Sequence, residues 1–191
     1  MSDGAPVAPP PRRESELAGP IRRYLEAQGY TVWVDPDGTD YFDVAARRGE
    51  EVGLVELKLS DWRTLLAQAV DRRGYADWVA VALPRRPAAE RLLARAALGH
   101  AQRIGVWTVV GESVTVLRSA RPWAPSTREL FELQRRSLRA LLDLRAGGLV
   151  PEGVELSAFP ARAVRRPGGR SAREWRLEEF SERGERSEKP D

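Results

Sequence analysis

The chain has 191 residues, a formal net charge of +3, 42% hydrophobic residues and six tryptophans, which suits one domain with a real core plus an appendage. It has no cysteine, which excludes disulfides and thiolate metal sites, and one histidine, His100, which excludes a histidine-rich cluster. Any catalytic metal would therefore need oxygen ligands.

Residues 1–13 are proline-rich and without periodicity, and read as a flexible lead-in. They lack the apolar core of a signal peptide, and no later run approaches a membrane span, so a cytoplasmic protein with no membrane partner is the expectation. In SELAGPIRRYLEAQGY, Leu17, Ile21, Tyr24 and Leu25 share a helical face and Gly29 supplies a stop. Proline belongs in a first turn, so Pro20 predicts a regular helix that starts near Gly19 or is kinked there. YTVWV reads as a strand, followed by turn chemistry in DPDGTD that accounts for Asp35 and Asp37. FDVAAR and VGLVELKL are the second and third strands. DWRTLLAQAVDRRGY is an amphipathic helix capped by Asp61, with Trp62, Leu65, Leu66, Ala69 and Val70 as its apolar positions. The near-continuous apolar run ADWVAVAL marks a strand buried on both faces. A helix over AAERLLARAALGHAQR and the strands GVWTVV and SVTVLR complete the set.

The order α-β-β-β-α-β-α-β-β predicts an α/β domain with a mixed sheet flanked by helices, over residues 14–121. Residues 122–180 read as a C-terminal helical and basic extension, with one capped helix over STRELFELQRRSLRALLDLRAGG and a buried stripe of Leu130, Leu133, Leu138, Leu141 and Leu142. Residues 181–191 read as a disordered tail. Charge is uneven: residues 1–118 hold 16 basic and 16 acidic side chains, and residues 119–191 hold 15 and 12. The surplus gathers around Arg162, Arg165, Arg166 and Arg170, a patch that favours a polyanion and suits phosphate contacts without base specificity. The plain alternative is a solvated arginine-rich tail.

The candidate chemistry lies in YFDVAARRGEEVGLVELKLSDW. Alternation sends Val55, Leu57 and Leu59 to one face of the sheet, and Glu56 and Lys58 to the other. If Gly49-Glu50 form a two-residue turn, Asp43 lies opposite Glu56, with Cβ atoms about 4.5–5.5 Å apart. A turn one residue longer would put Asp43 on the opposite face. Two such carboxylates repel, and a divalent cation between them reverses the sign; hard Mg²⁺ or Mn²⁺ prefers this donor type. Lys58, one pleat further, would hold or deprotonate the attacking water, which suits metal-assisted hydrolysis of a phosphodiester. The plain alternative is a charged, solvent-facing hairpin. Asp40 is a poorer candidate ligand than Asp43 because it sits in the turn, and His100 near a helix end suits a surface role. Ser60 and Asp61 read as a cap, and with one histidine and no cysteine nucleophilic triads are strongly disfavoured. Trp62, Trp78 and Trp107 lie at core spacings; Trp123 and Trp175 stand in basic surroundings, where packing is favoured over base stacking.

Asp43 followed by Glu56-Leu57-Lys58, on a hairpin between a leading helix and a glutamine-bearing helix, resembles the PD-(D/E)XK nuclease superfamily. The phrases GPIRRYLEAQGY, FDVAARRGE and VELKLSDWRTLLAQAVDRRGYADWVAVALP resemble a bacterial, mostly uncharacterised branch of PD-(D/E)XK phosphodiesterases, over about residues 14–118. Phe42 stands where the motif's proline would. The resemblance implies a restriction-endonuclease-like fold, Asp43 and Glu56 as ligands of Mg²⁺ or Mn²⁺, and Lys58 assisting the water. It also implies that Glu16 on the first helix joins the metal shell and that Gln68 on the helix after the motif faces the site. The expected function is a metal-dependent nuclease acting on nucleic acid, DNA favoured, with a homodimer suited to cutting two strands. The alternative is a non-catalytic nucleic-acid-binding or interaction module on the same fold.

Overall fold

The protein is described here by a computed structural model covering residues 10–35, 42–84, 86–95 and 99–148, with the main chain alone at 99–100 and 125–127. The described elements are α1 (Ser15–Glu26), β1 (Thr31–Val34), β2 (Val44–Arg48), β3 (Glu51–Leu57), α2 (Trp62–Arg72), β4 (Trp78–Leu83), α3 (Arg86–Arg95), a 3₁₀ turn (Gly99–Arg103), β5 (Gly105–Val110), β6 (Ser113–Arg118), α4 (Pro125–Leu130) and α5 (Glu132–Ala146). The six strands form one mixed sheet in the order β1-β2-β3-β4-β5-β6, with β3, β4 and β5 parallel and the outer pairs antiparallel. This is the expected α/β fold: a mixed sheet flanked by helices. Among the described residues no helix is long and apolar enough to cross a membrane.

Alternation along the strands divides the core in two. Val44, Ala46, Val55, Leu57, Ala80, Ala82 and Val109 join Leu17, Ala18, Ile21 and Leu25 of α1 in one cluster. Residues of opposite parity, among them Ala45, Leu54, Val79 and Val81, are equally buried and serve the other face, where α2 and α3 bury Leu65, Leu66, Ala69, Ala88, Ala89 and Leu92. β4 is buried along its whole length, as a strand covered on both faces must be.

Two local expectations are corrected. α1 spans Ser15–Glu26 with Pro20 inside it, so it does not start near Gly19. A helix-interior proline forfeits one backbone hydrogen bond and costs about 3 kcal/mol. Burying Leu17, Ile21 and Leu25 against the sheet is worth about 1.5–3 kcal/mol each, so packing wins. The C-terminal helix is broken at Phe131, whose backbone (φ −114°, ψ 22°) leaves the helical region. The break leaves Leu130 and Leu133 at 59% and 74% exposed, outside the stripe expected of them, while Leu138, Leu141 and Leu142 are buried. α5 is also no appendage. Its Asp143 pairs with Arg47 of β2, its Arg135 reaches Asp77 ahead of β4, and Trp123 before α4 is 3% exposed. All described residues fall in one compact unit, so the domain extends past Arg121.

Gly53 has a steric reason. Its partner in the β3–β4 register is Trp78, and a Cβ at Gly53 would lie 2.0 Å from the indole Cζ2. Trp78 in turn packs edge-on to Tyr30 and tilted against Trp107, so it has nowhere to retreat. Gly53→Ala should lower stability by about 1–3 kcal/mol in denaturant unfolding. Combining it with Trp78→Leu should cost less than the sum of the two single changes. Additive losses would contradict this packing.

Candidate active site

The hairpin is tied as its turn chemistry dictates. Gly49 takes φ +59° and Glu50 a negative φ, the pattern of a two-residue II′ turn, and β2 pairs with β3 from Arg48↔Glu51 to Val44↔Val55. Extending that register by one step sets Asp43 opposite Glu56. Asp43 lies just before β2, and its main-chain oxygen accepts from Asp35 N at 3.0 Å while its Oδ2 accepts from Leu57 N at 2.6 Å. The carboxylate is thereby clamped across the end of β3. Glu56 is 1% exposed and lies beside Val81 of β4.

Around these two acids stand side chains from both sheet faces. From α2, Arg72 donates through Nε to Glu56 Oε1 at 2.9 Å. Gln68, one turn earlier on the same helix face, has a buried Oε1 with no hydrogen-bond partner among the described residues. Lys58 sits one residue past the end of β3; its N–H donates to Ala82 O at 3.3 Å, and its Nζ donates to Glu14 Oε2 at 2.7 Å. Lys58 therefore leaves the strict alternation and leans toward the start of α1, yet its charge still acts on both Asp43 and Glu56.

The electrostatics follow from burial. Desolvation raises the Asp43 carboxyl above its ordinary value, against the opposing pull of the Leu57 N–H and the Lys58 charge. Glu56 is pushed up to about 7, chiefly by desolvation, which outweighs the Arg72 charge and is reinforced by Asp43. A protein gains no stability from two acids held this way.

The expected site residues are distributed unevenly. Asp43, Glu56 and Lys58 are brought together at the end of β3, and Gln68 lies one helical turn before Arg72, the residue of α2 that bonds Glu56. Glu16 is not among them: it is exposed and accepts from Arg12 N at 3.1 Å, and Glu14 is the acid of this segment that reaches Lys58. The helix geometry explains this, since Glu16 lies within α1 and points off its buried face, while Glu14 precedes the first turn and reaches back to the sheet. Glu14 and Arg72 were not singled out by sequence. Arg72 had a legible signal, the i,i+4 spacing from Gln68; Glu14 had none. Asp61 caps α2, accepting from Thr64 N at 3.1 Å, as expected. Trp78, Trp107 and Trp123 are buried, and half-buried Trp62 carries Arg63 over its ring at 5.1 Å. Asp37, Asp40, the His100 side chain, Trp175, the 181–191 tail and Arg162, Arg165, Arg166 and Arg170 lie outside the described residues.

Among the described residues no three histidine, aspartate or glutamate side chains gather into a ready-made cage. Magnesium does not require one: it commonly takes one or two carboxylates and completes its shell with water and phosphate oxygens. Asp43 and Glu56 fit that donor set, and the raised carboxyls are those a cation would return to their charged form.

No family model and no curated protein matches the chain. A solved structure that is similar is the SPO1766 protein of unknown function from Silicibacter pomeroyi, with 20% sequence identity and a TM-score of 0.46, covering 75% of this chain and 97% of that one. The likeness is distant and brings no function with it.

The pH dependence of Glu56 gives a test. Below its ordinary value of 4.5 the carboxyl is protonated in both folded and unfolded chains. As pH rises from there through about 7, the unfolded chain releases the proton first, so the folded state loses stability across that window. Glu56→Gln removes the penalty and keeps an acceptor for Arg72. In chelator, the variant should melt a few degrees above wild type at pH 8, with the gap closing by pH 5. A gap independent of pH would contradict the desolvated carboxylate.

Proposed function

We propose that the chain is a divalent-cation-dependent phosphodiesterase acting on nucleic acid, with DNA as the favoured substrate. The observation that carries the reading is the pair Asp43 and Glu56, placed together at the end of β3 at an electrostatic cost the fold does not need. Perturbed acids of this kind concentrate at functional sites. The α1-β1-β2-β3-α2-β4 order, with the acids on β2–β3 and Gln68 on α2, also agrees with the PD-(D/E)XK resemblance.

In this reading Asp43 and Glu56 would hold Mg²⁺ or Mn²⁺. When bound, such an ion polarises a phosphoryl oxygen and makes water a nucleophile at neutral pH. The protein's own groups do the rest. The Leu57 N–H fixes the orientation of Asp43, leaving its second oxygen for the ion. Arg72 holds Glu56 in place and brings a planar, permanently charged fork to the site. Lys58 would orient the attacking water through its N–H donors once substrate draws it from Glu14. Gln68 Oε1, buried and without a hydrogen-bond partner among the described residues, would be available as an acceptor for that water.

A second reading is a binding module on the same scaffold. It is favoured by the fact that Lys58 and Glu56 already have partners, Glu14 and Arg72, which would close the site against an incoming ion.

Purified full-length protein should nick or degrade supercoiled plasmid or single-stranded DNA with Mg²⁺ or Mn²⁺ and not with EDTA. Glu56→Ala and Lys58→Ala should each lower the rate by at least about 100-fold while leaving the circular dichroism spectrum unchanged. At sub-saturating metal the wild-type rate should rise with pH, since Glu56 must ionise to hold the ion, and the rise should move to lower pH as metal is added. A wild type that retains DNA in a salt-sensitive gel shift and never cuts would establish the binding module instead.

A further inference from the structure

A second cluster of charge lies at the other end of β4. Asp77 is 5% exposed, and both its oxygens are taken: Oδ1 by Arg128 at 3.1 Å and by Arg135, Oδ2 by Val52 N at 2.9 Å and by Arg139 at 3.4 Å. Three guanidinium groups therefore converge on one buried carboxylate. Each guanidinium carries five N–H donors, far more than a single carboxylate accepts. Glu132 shares its carboxylate between Arg135 and Arg136, and the only further acid on these three arginines among the described residues is the exposed Glu50, 3.8 Å from Arg139. The Nε atoms of Arg135 and Arg139 are buried and have no hydrogen-bond partner among the described residues, although the Arg135 side chain is only 5% exposed. Burial pulls Arg135 below its ordinary value; Asp77 opposes this, and the neighbouring Arg128 and Arg139 charges add to it. Beside the cluster is an open cleft of about 510 Å³ lined by Arg128, Glu129, Glu132 and Arg135.

One arginine is enough for a structural ion pair with Asp77; two more beside the buried Arg135 add mutual repulsion that a single carboxylate does not cancel. An oxyanion in the cleft would supply the missing acceptors and the missing negative charge together. We propose that Arg128, Arg135 and Arg139 form a second anion site that takes a phosphate group. Guanidinium forks suit phosphate oxygens, and the tetrahedral dianion offers enough acceptors for several of them at once. Asp77 holds the arginines in place from beneath. The site is separate from the hairpin acids: Asp77 precedes Val81, the β4 residue beside Glu56, by four positions, or about 13 Å along the strand. It does not depend on the catalytic reading. The phosphate comes either from a nucleic-acid backbone or from free anion in solution, and the two sources are separable.

The test uses the full chain with EDTA, in a buffer without phosphate or sulfate. Sodium phosphate is titrated against sodium chloride at matched ionic strength, and thermal unfolding is followed. Phosphate should raise the wild-type midpoint by several degrees and saturate, with chloride doing much less. Arg128→Gln should lose most of that shift, and Arg128→Lys, which keeps the charge without the fork, should fall between. Arg136→Gln, an exposed arginine that does not touch Asp77, should keep the shift. Arg128 is 43% exposed at its side chain, so its variants should fold, and their midpoints without phosphate check this. In parallel, binding of a labelled duplex is measured by anisotropy. Weaker binding by Arg128→Gln than by Arg136→Gln assigns the phosphate to a nucleic-acid backbone, and a loss confined to the phosphate titration assigns it to free anion. A wild type unresponsive to both ligands, or equal responses from wild type, Arg128→Gln and Arg136→Gln, would overturn the site.

Discussion

The turn at Gly49-Glu50 carries more of this structure than its two residues suggest. Its positive-then-negative φ pattern fixes the β2–β3 register, and a β register admits no compromise, because a slip of one residue sends every side chain to the other face. With the turn at two residues, Val44 and Val55 face α1 while Asp43 and Glu56 face α2. With three, an acid would enter the α1 core and Val44 or Phe42 would lie opposite Glu56. The core and the candidate site are therefore settled by the same geometry, and neither can be altered without the other.

That geometry places two carboxylates where desolvation opposes their charge. The fold offsets part of the cost with the Leu57 N–H on Asp43 and the Arg72 guanidinium on Glu56, and burial still prevails at both acids. A protein selected for stability alone would gain by replacing Glu56 with an apolar side chain, since buried ion pairs rarely surpass good packing. Retained strain of this kind is best understood as preparation for a ligand that neutralises it. The Asp77 cluster has the opposite sign: three guanidinium groups converge on one buried carboxylate. Under the two proposals, one end of the sheet would take a cation and the other a phosphate.

Much of this was legible in the sequence, and the reasons differ by element. All six strands were readable because β-branched runs are bounded by strong turn chemistry, and GE at 49–50 is short enough to imply its own register. The Asp43–Glu56 opposition followed from that register and alternation alone. Pro20 misled because a local rule predicted a late helix start, whereas the burial of Leu17, Ile21 and Leu25 is a tertiary term that sequence order does not display. Leu130 and Leu133 misled because a single helix was assumed, and the break at Phe131 leaves the 3.6-residue count without force across it. Glu14 was invisible for a related reason: it lies outside every periodic element, and only the packing of α1 on the sheet brings it to Lys58.

The central claim is that Asp43 and Glu56 form a cation site, and Mn²⁺ binding to the full-length protein tests it without relying on turnover or substrate choice. Calorimetric titration at pH 7.5 should give a saturable site in the wild type, accompanied by proton release that grows as the pH is lowered toward 7, because Glu56 gives up its proton on binding. Asp43→Asn and Glu56→Gln should each abolish that site while remaining folded. Mn²⁺ binding that is absent from the wild type, or unchanged in both variants, would contradict the account.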